Sequence, residues 1–598
     1  MTSANNMQRW DLESIFAGGS KSKEFADFRL KLKDKLSTAK KLVQELSPKD
    51  HPGWGKFVLD MQNIFDDIRQ ASSFVGCLIS ENVDDEEGHR LDAEIDTYYA
   101  EWQQLMTRLE DYALKLSDSE WNVFIAEAKV DDIRFYLDEM REKARAKMAP
   151  EFERLALSLA VDGFHAWNRL YDKMAGDLRV DFEEKGQVKK ISLGQLAAKM
   201  DLPDREIRRK AFEKLNEAWQ SRAELAAMTL NSLAGFRLSL YKNRGWDSPL
   251  FEPLRNARLK KETLDAMWGV CGSEAPRLQK YISAKKKILG IDKFRWYDQT
   301  APVGKTSQTF SYEEAGDFIV KHLSGLSREM GEFSRRALDK RWVEAEDRSG
   351  KAAGGFCSGF PLSKESRIFM TFTGTFGGLS TLAHELGHAY HSFVLNKKPT
   401  FISRYPMTLA ETASTFNELA VTDAALEATK DPQEKLMLLD QKIANAYIMM
   451  CNIRARFVFD ETFYAERKNG FVPRSRLEEL MLAAQKASYA GTIEGEGWHS
   501  LFWASKLHFF ITGAPFYNFP YTFGFLFANG IYDRALKEGN SFAGHYRDLL
   551  ADTGAMSNED VAWKHLGVDL TKEDFWRDSV NRILADIEPF VKLAEKGM

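Results

Sequence analysis

The sequence predicts a mainly α-helical, two-lobed protein with one small β-sheet, and three observations carry that prediction. Apolar residues recur at three- and four-residue intervals along most of the chain. Near-alternating, strand-like pattern is confined to two short stretches, residues 178–193 and 366–374. The length of 598 residues, 44% of them hydrophobic, suffices to bury cores in two lobes or more.

Residues 1 to about 150 read as helix almost throughout. Ser22–Leu46 is charged and amphipathic, and Gly53–Ser80 and Leu91–Leu116 repeat apolar residues at helical spacing. The acid run Asp84–Glu87 reads as a solvated turn or a helix start. Trp54, Phe57, Phe65, Phe74 and Trp102 fall at core spacing and read as packing. Around Leu178–Leu193 the period drops to near two about Gly186, a hairpin signal. It marks the expected join between an N-terminal helical domain, 1–190, and the remainder, 191–598. Asp201–Lys242, entered through Pro203 and Asp204, and Lys260–Leu289 return to helix. The charged face Arg205, Arg208, Arg209 and Lys210 reads as solvated surface. Ser366–Gly374 is the strongest strand, β-branched and aromatic, between the Gly354-Gly355 loop and the glycines at 374, 377 and 378. Asp431–Ala487 is helical with a break at Gly470 and Pro473, and Gly491–His499 is a glycine-rich loop.

Charge and composition narrow the function classes. The formal net charge is only -5, with no basic stripe for nucleic acid and no block of like charge. Cys77, Cys271, Cys357 and Cys451 have no paired spacing, which suits reduced thiols in the cytoplasm. Met1–Glu13 carries no apolar core of leader length, and no window reaches the roughly 18 apolar residues of a membrane span. The expectation is a soluble, cytoplasmic protein.

The chemistry is concentrated in Thr381-Leu-Ala-His384-Glu385-Leu-Gly-His388-Ala-Tyr-His391. On a helix, residues four apart share a face, so His384 and His388 present their rings to a single ion. Glu385 lies one step round, where a general base stands. With 11 histidines in 598 residues, this pattern arises by chance in only about one or two such chains per hundred. A metzincin needs Gly and His where His391 and Val394 stand, so that class fails. The next candidate ligand is Glu411; Thr408-x-x-Glu411 is also a capping box. Glu418, two helical turns further, is either a solvated residue or a partner that orients a ligating histidine.

These residues resemble the thimet-oligopeptidase-like zinc peptidases, and within them the oligoendopeptidase F branch. The resemblance rests on the motif with Glu411 and Glu418, and on Arg9-Trp10-Asp11-Leu12-Glu13-Ser14-Ile15-Phe16. Gly354-Gly355-Phe356-Cys357-Ser358-Gly359, Thr373-Gly374-Thr375 and His508-Phe-Phe followed by Pro515–Gly524 also carry it. It implies a zincin-type metallopeptidase with a deep substrate channel, its catalytic domain within 191–598. One Zn2+ per chain is held by His384, His388 and Glu411, with Glu385 as base and Glu418 behind the ligands. Tyr517, Tyr521 and His508 are implied as donors to the oxyanion; the spacing of Tyr517 and Tyr521 places both on one helical face. Phe519 and Pro520 depart from the branch's pattern and leave the donor open between the two tyrosines. The 366–374 strand is expected to offer an open edge to a peptide through Phe369, Thr371, Thr373 and Gly374.

The expected activity is cleavage of internal bonds in short, unfolded peptides, with no nucleic-acid or membrane partner. Two alternatives stand beside it. A carboxypeptidase would hold a terminal carboxylate on Arg367 or Arg404, and a non-catalytic zinc protein would only bind peptides.

Overall fold

The structure, a computed structural model, describes residues 8–184, 186–304 and 308–596; residues 1–7 of the stretch read for a leader lie outside them. The described residues are mostly helical. Their strands are β1 Arg179–Glu184, β2 Gln187–Ser192, β3 Val343–Glu344, β4 Phe356–Phe360 and β5 Glu365–Phe369.

The expected helices begin where capping side chains put them. Helix Lys23–Glu45 starts at Ser22, whose hydroxyl accepts from Phe25 N at 3.2 Å. Helix His51–Glu81 starts at Asp50, which accepts from Gly53 N at 3.0 Å. The acid run is a helix start: Asp85 accepts from Gly88 N at 3.0 Å and Glu86 and Glu87 sit at the positive end of helix Glu86–Lys115. Asp201–Lys242 holds two helices, Arg205–Gln220 and Ala223–Arg244. Helix Ile453–Arg467 and helix Arg474–Ser488 flank the break at Gly470 and Pro473. The hairpin forms as expected, β1 pairing antiparallel with β2 from Arg179↔Ser192 to Glu184↔Gln187, with Gly186 at φ 76°.

Packing groups the chain into two units. One comprises 1–146, 308–424 and 534–566, the other 147–307, 425–533 and 567–598. The boundary at residue 190 follows the change of hydrophobic period along the sequence, whereas these units follow contacts between distant segments.

The first unit carries the motif. Helix His51–Glu81 turns Phe57, Met61, Ile64, Phe65, Ile68 and Phe74 into a core shared with Trp10, Phe360 and Phe369. Its three-stranded sheet has the order β3-β5-β4, β5 running parallel to β3 and antiparallel to β4. The 9–16 stretch is tied to this sheet. Arg367, fully enclosed, donates to Asp11 O and Ser14 Oγ, each at 2.9 Å, and pairs with Glu365 at 3.1 Å. Every arm of that guanidinium is engaged in structure, so it cannot hold a substrate carboxylate.

The second unit corrects one reading of surface charge. Arg208 is buried and meets the fully enclosed Asp298 at 3.3 Å, and Arg205 reaches the same carboxylate at 2.8 Å. Helix Pro432–Tyr447 continues through a π-turn, Ile448–Asn452, into Ile453–Arg467. A π-turn displaces carbonyls from the α ladder; Met449 O accepts from Thr522 Oγ1 at 2.7 Å. That bond fixes the residue next to Tyr521.

Candidate active site

The motif lies on helix Phe376–Leu395, capped by Thr375, which accepts from Gly378 N at 3.2 Å. One turn apart on one face, His384 Nε2 and His388 Nε2 stand 3.2 Å from each other. Glu411 Oε2 lies 3.3 Å from the first and 3.4 Å from the second. A tetrahedral ion with bonds of roughly 2.0–2.1 Å needs donors about 3.3 Å apart, so this triangle fits one face of such a shell. Three lone-pair donors converging so closely repel one another unless a cation, metal or proton, lies among them. His384, His388 and Glu411 thus make a donor set that could hold a metal ion.

Glu411 reaches the histidines because it sits at a break, between the short helix Met407–Ala410 and helix Thr412–Ala428. Thr408 is inside the short helix and bonds Asn558 Oδ1 at 3.2 Å, so the capping-box reading of Thr408 and Glu411 fails. Ser414 Oγ donates to Glu411 at 2.7 Å. The two helices meet backbone to backbone at Gly387. A Cβ there would overlap Ala413 O and lie 2.6 Å from Ser414 Cα, and Asn417 Nδ2 ties the pair by donating to Ala383 O at 3.1 Å. Gly387→Ala is therefore expected to force the helices apart, costing about 1–3 kcal/mol of stability and weakening metal binding. Thermal denaturation with and without added zinc checks it, the zinc-induced rise in Tm shrinking in the variant.

The remaining groups of this unit complete the site. Glu418 Oε1 lies 3.2 Å from His384 Nδ1, behind the face that carries the donors. Glu385 is buried and its Oε2 has no partner within the protein. Burial pushes its carboxyl up to about 7, Glu411 and Glu418 adding to the effect and His384 opposing it. Burial disfavours a charged His384, but Glu411 and Glu418 outweigh it and raise the ring to about 10. Burial and the His384 charge bring His388 down to about 4. Despite burial, the two histidines hold Glu411 near about 2. His391 stacks on Tyr405, centroids 4.3 Å apart, and its Nε2 meets Thr553 Oγ1 at 2.8 Å, so it does not join the donor set.

The open sheet edge is β4. Ile368 N and Met370 N donate to Trp342 O at 2.8 Å and Glu344 O at 3.0 Å, so β5 is closed on that side, and β4 covers the other. Phe369 points into the core, Phe372 N donates to Ala345 O at 3.0 Å, and Gly374 O accepts from Phe310 N at 2.8 Å. Thr371 is half-buried, and Thr373 is exposed with its hydroxyl 2.9 Å from that of Thr375. By the alternation of an antiparallel ladder, the backbone groups of Gly355, Cys357 and Gly359 face away from β5. Gly359 O accepts from Ser73 Oγ at 2.9 Å, and no described strand pairs with β4 on that side. Gly355 is also the residue beside the base: a Cβ there would stand 3.4 Å from Glu385 Oε1. The glycine-rich sequence before β4 is the signal that marks this edge. Cys357 is no nucleophile, since burial and then Glu385 push its thiol up.

His508, Tyr517 and Tyr521 belong to the second unit and come together there. His508 lies 5.7 Å from Tyr517 and 6.0 Å from Tyr521, and the tyrosines are 5.6 Å apart, ring centroid to centroid. They do not share a helical face. Helix Phe519–Glu538 starts after Tyr517, because Pro520 lacks an N–H and fits only a helix's first turn. His499, the other histidine considered, is buried among Phe212, Trp296 and Phe502 and packs as core.

Comparison with known proteins identifies the chain. The sequence model of Peptidase family M3 matches residues 198–582, and one described as Oligopeptidase F matches 113–179. The chain belongs to peptidase family M3. Among family relatives, an oligoendopeptidase F homolog of Lactococcus lactis subsp. lactis is 24% identical over 611 residues, covering 98% of both chains. The chromosomal oligoendopeptidase F of Lactococcus lactis subsp. cremoris is 26% identical over 419 residues, 69% of this chain and 68% of that one. In fold, oligoendopeptidase-F from Enterococcus faecium aligns with TM-score 0.72 at 19% identity, covering 96% of this chain and 99% of that one. PZ peptidase A, solved with an inhibitor, aligns with TM-score 0.71 at 18% identity, covering 94% and 97%. As an M3 chain this is a peptidase of the oligopeptidase kind. No helix among the described residues is long and apolar enough to cross a membrane.

Proposed function

We propose that this M3 chain is a zinc metalloendopeptidase that hydrolyses internal bonds of short, unfolded oligopeptides. The observation that carries the reading is the triangle of His384 Nε2, His388 Nε2 and Glu411 Oε2, with edges of 3.2, 3.3 and 3.4 Å, beside the enclosed carboxyl of Glu385. One Zn2+ held there would supply Lewis acidity, making water nucleophilic near neutral pH and polarising the scissile carbonyl.

The chain's own groups do the rest. Glu385 takes a proton from the attacking water and returns it to the leaving nitrogen, a task suited to a carboxyl shifted towards neutrality by burial. Glu418 holds His384 in the orientation that aims Nε2 at the donor triangle. The outward backbone groups of Gly355 and Cys357 take up an extended peptide as an added strand, which grips main chain whatever the side chains. Tyr517 or Tyr521, with His508 held neutral by burial, donates to the oxyanion formed in the attack. The free thiols suit a reducing compartment, and we place the enzyme in the cytoplasm.

An internally quenched peptide blocked at both ends tests the reading. Cleavage at an internal bond, with products mapped by mass, is expected. Cleavage only of peptides with a free C-terminus would make the enzyme a carboxypeptidase, and no cleavage of any peptide by zinc-loaded protein would leave only binding.

A further inference from the structure

Elsewhere in the second unit, enclosed cations are satisfied by several protein groups: Lys285 meets Asp440 at 3.0 Å, Arg244 meets Glu153 at 2.7 Å, and Arg237 donates to Tyr464 Oη at 2.6 Å and Thr512 O at 2.7 Å. Arg456 and Lys506 differ in sharing one aromatic ring. Arg456 projects from helix Ile453–Arg467 and Lys506 follows the short helix Phe502–Ser505. The Arg456 guanidinium and the Lys506 ammonium both lie over the ring of Phe502, each 5.2 Å from its centroid. Arg456, buried, donates to two neutral oxygens, Asn452 Oδ1 at 3.0 Å and Asn518 Oδ1 at 3.1 Å. Neither cation has a carboxylate within ion-pair distance among the described residues.

Two polar atoms of neighbouring side chains are unsatisfied. Asn518 is 1% exposed and its Nδ2 has no partner within the protein; nor has Nδ1 of His508. The positive charge is felt by its neighbours. Burial and then Arg456 bring Lys506 down to about 8, and burial, Arg456 and Lys506 together bring His508 down to about 4. Holding two like charges in a partly enclosed place without a counter-charge is unfavourable, and an anion shared between them offsets that cost through charge-assisted hydrogen bonds. Asn518 follows Tyr517 in the chain, and His508 lies against both tyrosine rings.

We propose that Arg456 and Lys506, with Asn518 beside them, form a subsite for a carboxylate carried by the peptide substrate. It rests on the functional reading above, in which Tyr517, Tyr521 and His508 serve the reacting carbonyl. The carboxylate is either the peptide's free C-terminus or an Asp or Glu side chain near the scissile bond. In both cases these cations set the substrate preference.

The test uses the zinc-loaded full chain and matched peptides. One pair differs only in a C-terminal acid against amide. A second series, amide-ended, carries a single Glu against Gln at successive positions. A carboxylate at one place is expected to raise kcat/KM by about tenfold or more, mainly through a lower KM. The C-terminal pair showing the gain assigns the site to the terminal carboxylate, and one position of the Glu series assigns it to a side chain. Lys506→Gln should collapse the acid-to-neutral ratio towards one, and Lys506→Arg should recover part of it. Ratios within about twofold at every place in the wild type, or a ratio that survives Lys506→Gln, overturn the site. Equilibrium binding of the same peptides, read by fluorescence polarisation on the Glu385→Gln protein, separates the two readings. Acid-selective binding without turnover in the parent keeps the subsite and removes the enzyme, whereas turnover with no acid preference keeps the enzyme and removes the subsite. Binding of no peptide removes the subsite as well.

Discussion

Glu385→Gln lowers kcat by about 10²–10⁴-fold, the contribution of a positioned general base, while zinc content stays at the parent level. The carboxyl is buried, its Oε2 has no protein partner, and it lies against the glycine of the open strand edge at Gly355. Glutamine keeps the size and removes the proton acceptor, so the packing around the motif helix has no reason to change. Since Glu385 is not one of the three converging donors, the ion is held as before. Steady-state kinetics on a quenched peptide, with metal measured by atomic emission on the same sample, reads both quantities. A variant that lost zinc along with activity would put Glu385 in the metal shell and contradict its role as base.

Glu411→Ala produces the opposite pattern, loss of metal first. Its Oε2 supplies one corner of the donor triangle and that triangle's one carboxylate, and truncation leaves two imidazoles to hold the ion. Partners that merely orient a ligand cost about 10–100-fold in metal affinity when removed, and loss of a ligand should exceed the upper figure. Competition with a chromophoric chelator measures it. An affinity unchanged from the parent would remove Glu411 from the shell. Glu418→Ala, which leaves the triangle intact, should fall within the 10–100-fold range and so serves as the internal comparison.

Local features of the site were legible in the sequence, and those that depend on how distant segments meet were not. His384 and His388 are one helical turn apart, so their convergence follows from 3.6 residues per turn. The hairpin about Gly186 and the helix starts at Ser22 and Asp204 are likewise local chemistry. Strand pairing is not local. The 366–374 stretch has the composition of a half-open strand, yet β3 and β4 flank it, and the free edge falls to the glycine-bearing β4. Arg208 shows the same limit: a helical arginine reads as solvated until Asp298, far along the chain, takes its charge inside. Arg456 and Lys506 lie fifty residues apart and become neighbours only over Phe502. Tyr517 shows a local rule outweighed by another, since Pro520 starts the helix and four-residue spacing across that start no longer means a shared face.

The most direct measurement is zinc stoichiometry followed through one cycle of removal and return. Purified protein should carry one zinc per chain, lose peptide hydrolysis as a chelator strips it, and regain hydrolysis in proportion to zinc restored. Protein that cleaves peptides equally well with the ion removed would contradict the account at its root.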